Sequence, residues 1–197
     1  VDVGLFLKEV AKAPGRMGAI APSSGYLADL MVTSAGIRDG QVIVELGAGT
    51  GPFTAAIRRA APSSPLLALE PGADLAAHLR ERFPDVLVSE TYAQDLVATV
   101  SAWGHPQVDR VVSGLPWTIF PAEVADAGLG AVARVLRPDG RFVTFTYAHA
   151  VTLLPGGSRL RELLRRYFGH VERTRVEWRN LPPALVYVCD DPRPGGA

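Results

Sequence analysis

The run Val42-Ile43-Val44-Glu45-Leu46-Gly47-Ala48-Gly49-Thr50-Gly51 constrains this chain more than any other stretch. An apolar segment of strand length ends in a carboxylate, and three glycines then alternate with small residues before Pro52 opens a helical pattern. A glycine-rich turn between a strand and a helix lets a ligand approach the backbone, because glycine tolerates the dihedrals and places no side chain in the way. From Gln41 onward, strand-length apolar runs keep alternating with helix-period segments, the pattern of a mostly parallel sheet covered by helices on both faces. The fold class is therefore α/β.

Strands are predicted at 41–46, 66–70, 86–90, 109–113, 141–147, 171–178 and 185–189. Helices are predicted at 52–61, 73–83, 95–103, 121–136 and 158–167, with the Arg137-Pro138-Asp139-Gly140 turn closing the fourth and launching the next strand. The last two strands are joined only through Arg179-Asn180-Leu181-Pro182-Pro183, too short for a parallel crossover, so they are expected to be antiparallel. Before the sheet, Leu5, Phe6 and Val10 with Lys8, Lys12 and Arg16 form a weakly amphipathic helix. A second helix is expected over 24–33, capped by Ser23 or Ser24.

The chain has 197 residues, enough for one domain to bury a core without disulfides or structural metal. Its single cysteine, Cys189, lies beside an apolar run, which excludes a disulfide framework and a cysteine-rich zinc site and predicts a buried thiol. No secretory leader pattern or membrane-spanning apolar stretch is found, so cytoplasmic residence is expected, with membrane contact only at a surface. Net charge is zero, which argues against uniform coating of nucleic acid. Locally the balance breaks: Arg159, Arg161, Arg165, Arg166, Arg173, Arg175 and Arg179 face only Glu162, Glu172 and Glu177. This stretch is either a solvated face or a surface for phosphates or anionic headgroups.

Two carboxylates sharpen the glycine turn into a cofactor site. Glu70 closes the second strand, where a carboxylate can accept both hydroxyls of a ribose. Glu45, just ahead of the turn, puts negative charge where a pyrophosphate is repelled and an ammonium or sulfonium is attracted. Asp95 follows the third strand, placed either to bond an adenine amino group or to cap the next helix. Together these residues match the Rossmann-like class I methyltransferases, whose sheet is seven-stranded and mostly parallel with an antiparallel last strand. A non-catalytic nucleotide-binding domain is the alternative.

After the fourth strand stands Ser113-Gly114-Leu115-Pro116-Trp117. Amino-methylating enzymes carry there a loop that begins with Asn or Asp, whose oxygen accepts from a nucleobase amine. Gly114 occupies that first position, so a flipped adenine loses its orienting hydrogen bond. The acceptor is thus expected to be an amine outside a nucleobase.

Four segments carry a closer resemblance: Phe6-Leu7-Lys8 with Gly18-Ala19-Ile20-Ala21-Pro22-Ser23-Ser24; Glu45 to Gly51; Ser113-Gly114-Leu115-Pro116; and Asn180-Leu181-Pro182-Pro183-Ala184. In these the chain resembles the bacterial phospholipid N-methyltransferases, which convert phosphatidylethanolamine stepwise to phosphatidylcholine. It is similar, more distantly, to the ribosomal RNA adenine dimethylases. The resemblance implies S-adenosyl-L-methionine as cofactor, held by Pro22, Ser23, Glu45, Gly47, Ala48, Gly49, Gly51, Glu70, Pro71, Ala93, Gln94, Asp95, Ser113, Gly114 and Leu115. Residues 1–40 become a helical extension that lids the site and contacts the membrane, and residues 41–197 the methyltransferase domain.

The resemblance further implies a membrane phospholipid substrate and a peripheral position on the inner face of the plasma membrane. Its first helix would meet anionic lipid through Lys8, Lys12 and Arg16. Tyr26, Trp117 and Tyr147 are the candidate catalytic residues, with His149 as a possible base. Arg179 and Asn180 are the candidates for the lipid phosphate. No metal and no DNA are expected. An rRNA adenine N6-methyltransferase and a non-catalytic, membrane-associated cofactor-binding domain remain as alternatives, RNA being disfavoured by Gly114 and the zero net charge.

Overall fold

The computed structural model describes residues 24–153 and 155–196. Pro22, Ser23 and the predicted amphipathic helix lie outside the described residues. The chain runs α1 (Gly25–Ala35), β1 (Ile43–Leu46), α2 (Pro52–Ala60), β2 (Leu66–Leu69), α3 (Ala73–Arg82), β3 (Leu87–Ser89), a 3-10 turn (Ala93–Asp95), α4 (Leu96–Ala102), β4 (Val108–Ser113), α5 (Ala122–Val135), β5 (Leu136–Tyr147), α6 (Ala148–Leu153), α7 (Pro155–Tyr167), β6 (Phe168–Arg173) and β7 (Ala184–Pro192).

The strands form one seven-stranded sheet in the order β3-β2-β1-β4-β5-β7-β6. The first five are parallel neighbours, while β7 inserts antiparallel between β5 and β6. This is the predicted Rossmann-like architecture with its antiparallel end. The central strands β1 and β2 are buried at every position, as continuous apolar runs covered on both faces require. One apolar layer gathers Leu27 and Met31 of α1, Phe53 and Ile57 of α2 and Leu79 of α3 against the sheet. The other gathers Leu96, Leu129, Val132, Leu160 and Leu164 of α4, α5 and α7. Residues 24–40, the described part of the predicted extension, therefore contribute to the domain's own core through α1. Ser24 caps that helix by accepting from Leu27 N–H at 3.2 Å.

Three sequence expectations shift. The Arg137–Gly140 turn lies inside β5 rather than before it: Val108 pairs with Leu136 and Arg110 with Arg141, so the turn bulges out of a strand that has already begun. Strand β6 covers 168–173 rather than 171–178, because Phe168 packs in the core stacked on Phe142 at 5.5 Å. Beyond it only Thr174 and Glu177 still bond β7, so the connection to that strand is longer than expected yet still too short for a crossover. Helix α6 was not predicted, and α7 begins before Ser158; Gly156 and Gly157 lie in its first turn, where a Cβ at either would collide with the backbone of Thr118 or of Ala150 and Val151.

Candidate active site

The carboxyl ends of the parallel strands carry the site. Gly47 (φ 71°) and Gly51 (φ 87°) take dihedrals that other residues rarely adopt. The turn between them is pinned to its neighbours: Gly47 N–H donates to Leu69 O at 2.8 Å, and Gly49 N–H donates to Glu70 Oε2 at 2.9 Å. Among the described residues nothing approaches within 4 Å of the Cβ position of Gly49. Pro52 occupies the first turn of α2, where its missing N–H costs no hydrogen bond.

Glu45 is fully buried. Its Oε2 accepts from Thr54 Oγ1 at 2.6 Å, whereas its Oε1 has no partner among the described residues. Burial pushes its carboxyl up to about 7; hydrogen bonds from Thr54 oppose that rise and the charge of Glu70 adds to it. A buried carboxylate with one vacant oxygen at the end of a strand is suited to a cationic group delivered by a ligand. Glu70 is also buried, with Oε2 on Gly49 N–H and Oε1 on Gly72 N–H, both 2.9 Å. Each oxygen keeps a second lone pair for a hydroxyl donor.

Beside the turn lies a small, largely apolar pocket. Its walls are Leu46, Gly47, Leu69, Pro71, Thr91, Tyr92, Ala93, Gln94, Leu115, Trp117, Phe120 and Val124. Of the residues predicted for the cofactor, Gly47, Pro71, Ala93, Gln94 and Leu115 meet here. Thr91, Tyr92, Phe120 and Val124 escaped the sequence reading, although Thr91 and Tyr92 directly precede the predicted pair. Asp95 is exposed and stands outside these walls, and its side chain makes no capping hydrogen bond to α4, so the capping alternative is not realised.

The loop after β4 is built around Ser113. Its buried Oγ accepts from Leu115 N–H at 3.2 Å and Trp117 Nε1–H at 2.9 Å, while Gly114 N–H donates to Leu46 O at 2.8 Å. A Cβ on Gly114 would lie 2.7 Å from Gly47 O and 3.3 Å from Phe53. The loop and the glycine turn thus touch at a place with no room for a side chain. Trp117 is 1% exposed, with its ring edge-on to Phe120 at 5.6 Å. It is a wall of the pocket.

Tyr147 ends β5 half-buried, edge-on to Phe145 and stacked on His149 at 5.8 Å; burial raises its phenol. Tyr26, in the first turn of α1, carries the Arg179 guanidinium over its ring at 4.2 Å. Arg179 in turn holds Glu177 through Nε and Nη2 at 2.9 and 2.8 Å, and these bonds, with a third from Arg179 N–H, draw the Glu177 carboxyl down to about 2. Asn180 is buried, accepting from Ser24 N–H and donating to Pro182 O. Pro183 O accepts from Ala148 N–H at 2.8 Å. The β6–β7 loop thereby ties together the neighbourhoods of Tyr26 and Tyr147. Cys189 is buried, and burial raises its thiol well above the ordinary range. No cluster of histidine, cysteine and acidic side chains among the described residues is arranged to hold a metal.

Residues 43–140 match a family model described as a methyltransferase domain. The ornithine lipid N-methyltransferase of Singulisphaera acidiphila is 37% identical over 192 residues, covering 95% of each chain. This chain belongs to that methyltransferase family. Its cofactor is S-adenosylmethionine. The ribosomal RNA small subunit methyltransferase A of Burkholderia ambifaria is 38% identical over 97 residues, 46% of this chain and 35% of that protein, in keeping with the more distant resemblance. The crystal structure of precorrin-6y C5,15-methyltransferase from Geobacter metallireducens shares the fold with TM-score 0.62 at 18% identity, over 83% of this chain and 87% of that one.

The residues present fit the cofactor. The vacant Glu45 Oε1 suits its cationic methionine portion, the spare lone pairs of Glu70 suit two ribose hydroxyls, and the pocket between Pro71 and Leu115 suits a flat purine. Thr54, which positions Glu45, was missed in the sequence because a threonine in the first turn of a helix carries no signal of its own.

Proposed function

We propose that this methyltransferase acts on the amine of a membrane lipid headgroup, taking phosphatidylethanolamine and its mono- and dimethyl derivatives to phosphatidylcholine. The observation that carries the reading is Gly114, packed on Gly47 O and Phe53 where an amide-bearing side chain would be needed to orient a nucleobase. The Singulisphaera relative supports a lipid amine and favours ornithine lipid as the second acceptor to consider.

When bound, S-adenosylmethionine supplies an electrophilic methyl group. Glu45 opposes charge on the methionine side, Glu70 takes the ribose, and Pro71, Ala93, Gln94 and Leu115 enclose the base. Gly47 and Gly49 let the backbone approach, and Ala48, Gly51, Ser113 and Gly114 shape the turn and the facing loop. Pro22, Ser23 and Asp95 complete the proposed set.

Transfer to an amine is an in-line displacement, so a neutral nitrogen must be held about 3 to 3.5 Å from the methyl. Tyr147, its phenol raised by burial, stays protonated and orients the amine by hydrogen bonding instead of abstracting its proton. Tyr26 already receives one cation on its ring, and this is the chemistry that a methylated ammonium requires. Trp117 backs the pocket, and Arg179 and Asn180 place the headgroup phosphate beside Tyr26.

Initial rates with three acceptors test the reading: phosphatidylethanolamine in mixed micelles, soluble phosphoethanolamine, and unmethylated small-subunit ribosomal RNA. Methylation of the lipid alone is expected. Methylated adenine in the RNA, without lipid product, overturns it.

A further inference from the structure

Two large apolar side chains on the β6–β7 loop are left uncovered by the fold: Trp178 is 75% exposed and Leu181 is 82% exposed. Single exposed apolar residues are ordinary on any protein surface. These two flank Arg179 and Asn180, and the half-exposed Tyr26 lies against the same loop. The loop is held firmly. Asn180 is buried between Ser24 and Pro182, and Arg179 is clamped by Glu177. A braced loop loses little conformational freedom on docking, so most of the contact energy is retained.

Positive charge accompanies the apolar tip. Arg173 ends β6, and Arg175 follows on the segment that leads to Trp178. Arg173 lies opposite Tyr187 in the β6–β7 register, and Arg161 and Arg165 stand one turn apart on α7, the helix that leads into β6. Arg166 and Arg179 are held in ion pairs and Arg159 by the backbone carbonyls of Thr118 and Phe120, whereas none of Arg161, Arg165, Arg173 and Arg175 has an ion pair among the described residues. On a chain of zero net charge this local excess is complementary to an anionic surface. An exposed pair of side chains is far smaller than the roughly 800 Å² per partner of a stable protein interface, whereas a tryptophan beside an aliphatic residue suits the boundary between headgroups and acyl chains.

We propose that the β6–β7 loop is the protein's foothold on a lipid bilayer, with Trp178 and Leu181 entering the interface and Arg173 and Arg175 meeting anionic headgroups. The inference rests on the amino-lipid reading of the site and adds a geometry to it. The loop that seats on the bilayer is the one bonded to Ser24 and Ala148, so a headgroup amine reaches the neighbourhood of Tyr26 and Tyr147 while its acyl chains stay in the membrane.

The test is cosedimentation with vesicles of phosphatidylcholine and phosphatidylglycerol, which hold no amine acceptor, comparing the wild type with W178A/L181S and R173Q/R175Q. All four side chains lie at the surface, and unchanged thermal unfolding checks that the variants fold. W178A/L181S should lower the partition coefficient about tenfold or more. R173Q/R175Q should lower it by a similar factor at low salt and flatten its salt dependence. Turnover on vesicles should fall in parallel, with turnover on detergent-dispersed short-chain lipid retained. Unchanged vesicle binding by both variants overturns the foothold, as does a lipid-free dimer that W178A/L181S dissociates. Loop-dependent vesicle binding by a wild type that methylates no amino lipid in micelles leaves the foothold standing and removes the proposed acceptor.

Discussion

The side-chain amide of Asn180 is bonded to the backbone of Ser24 across 156 positions of sequence, accepting its N–H at 3.1 Å. Its own N–H donates to Pro182 O at 2.7 Å, so one buried residue fixes both the start of α1 and the turn of the β6–β7 loop. Arg179 and Tyr26, in contact at 4.2 Å, lie on the two segments that this link joins.

Replacing Asn180 with alanine removes both bonds and strands a donor at Ser24. A loss of about 2 to 3 kcal/mol is expected in urea unfolding, from two hydrogen bonds and the desolvated groups left behind. The variant should also show a raised KM for the lipid with cofactor affinity little changed, since neither Glu45 nor Glu70 touches Asn180. Equal losses of both affinities would contradict this division of roles.

Glu45 gives the protein a pH dependence of definite sign. Its folded pKa of about 7 lies above the ordinary 4.5. Between those values the unfolded chain loses the proton first, so cofactor-free stability falls as pH rises from 4.5 to 7 and levels off above. Glu45→Gln should remove that slope and, at pH 8, recover up to about 3 kcal/mol of apo stability while abolishing tight cofactor binding. A cationic ligand beside Glu45 favours its ionised form, so wild-type binding should release a proton below pH 7. Calorimetry in two buffers of different ionisation enthalpy checks this, and identical heats in both would contradict it.

Gly114 marks the contact between the glycine turn and the acceptor loop. Gly114→Ala puts a Cβ 2.7 Å from Gly47 O, against backbone on one side and the Phe53 ring on the other. Separating the two loops should cost about 1 to 3 kcal/mol of stability and weaken cofactor binding, as thermal unfolding with and without cofactor would reveal. An alanine variant with wild-type affinity would show that this approach is unimportant.

The sheet and the glycine turn were legible because both rest on local patterns. Val42 to Gly51 shows its strand, its carboxylate and its turn in consecutive residues, and Glu70 follows at the end of the next strand. What escaped depends on contacts distant in sequence. Thr54 reads as an ordinary helical threonine until it meets Glu45, and Phe120 and Val124 join the pocket only once α5 packs beside Ala93. The start of α7 at Pro155 was likewise missed, because what puts glycine at 156 and 157 is close packing against the backbones of Thr118 and Ala150. Trp117 illustrates the reverse case. Its position in the loop made it a catalytic candidate, and its bond to Ser113 Oγ, a contact the sequence does not show, holds it inside the pocket wall.

The central claim is the lipid amine acceptor, and labelled methyl transfer measures it most directly. The protein with radiolabelled S-adenosylmethionine is incubated with vesicles holding phosphatidylethanolamine plus an anionic lipid, with ornithine lipid in a parallel set and neither amine lipid in a third. The organic extract is then resolved by headgroup. Label in methylated amine headgroups of the first set, and none in the third, is the predicted result. Label confined to ornithine lipid would move the acceptor to that lipid. No lipid label from protein that binds the cofactor would contradict the account.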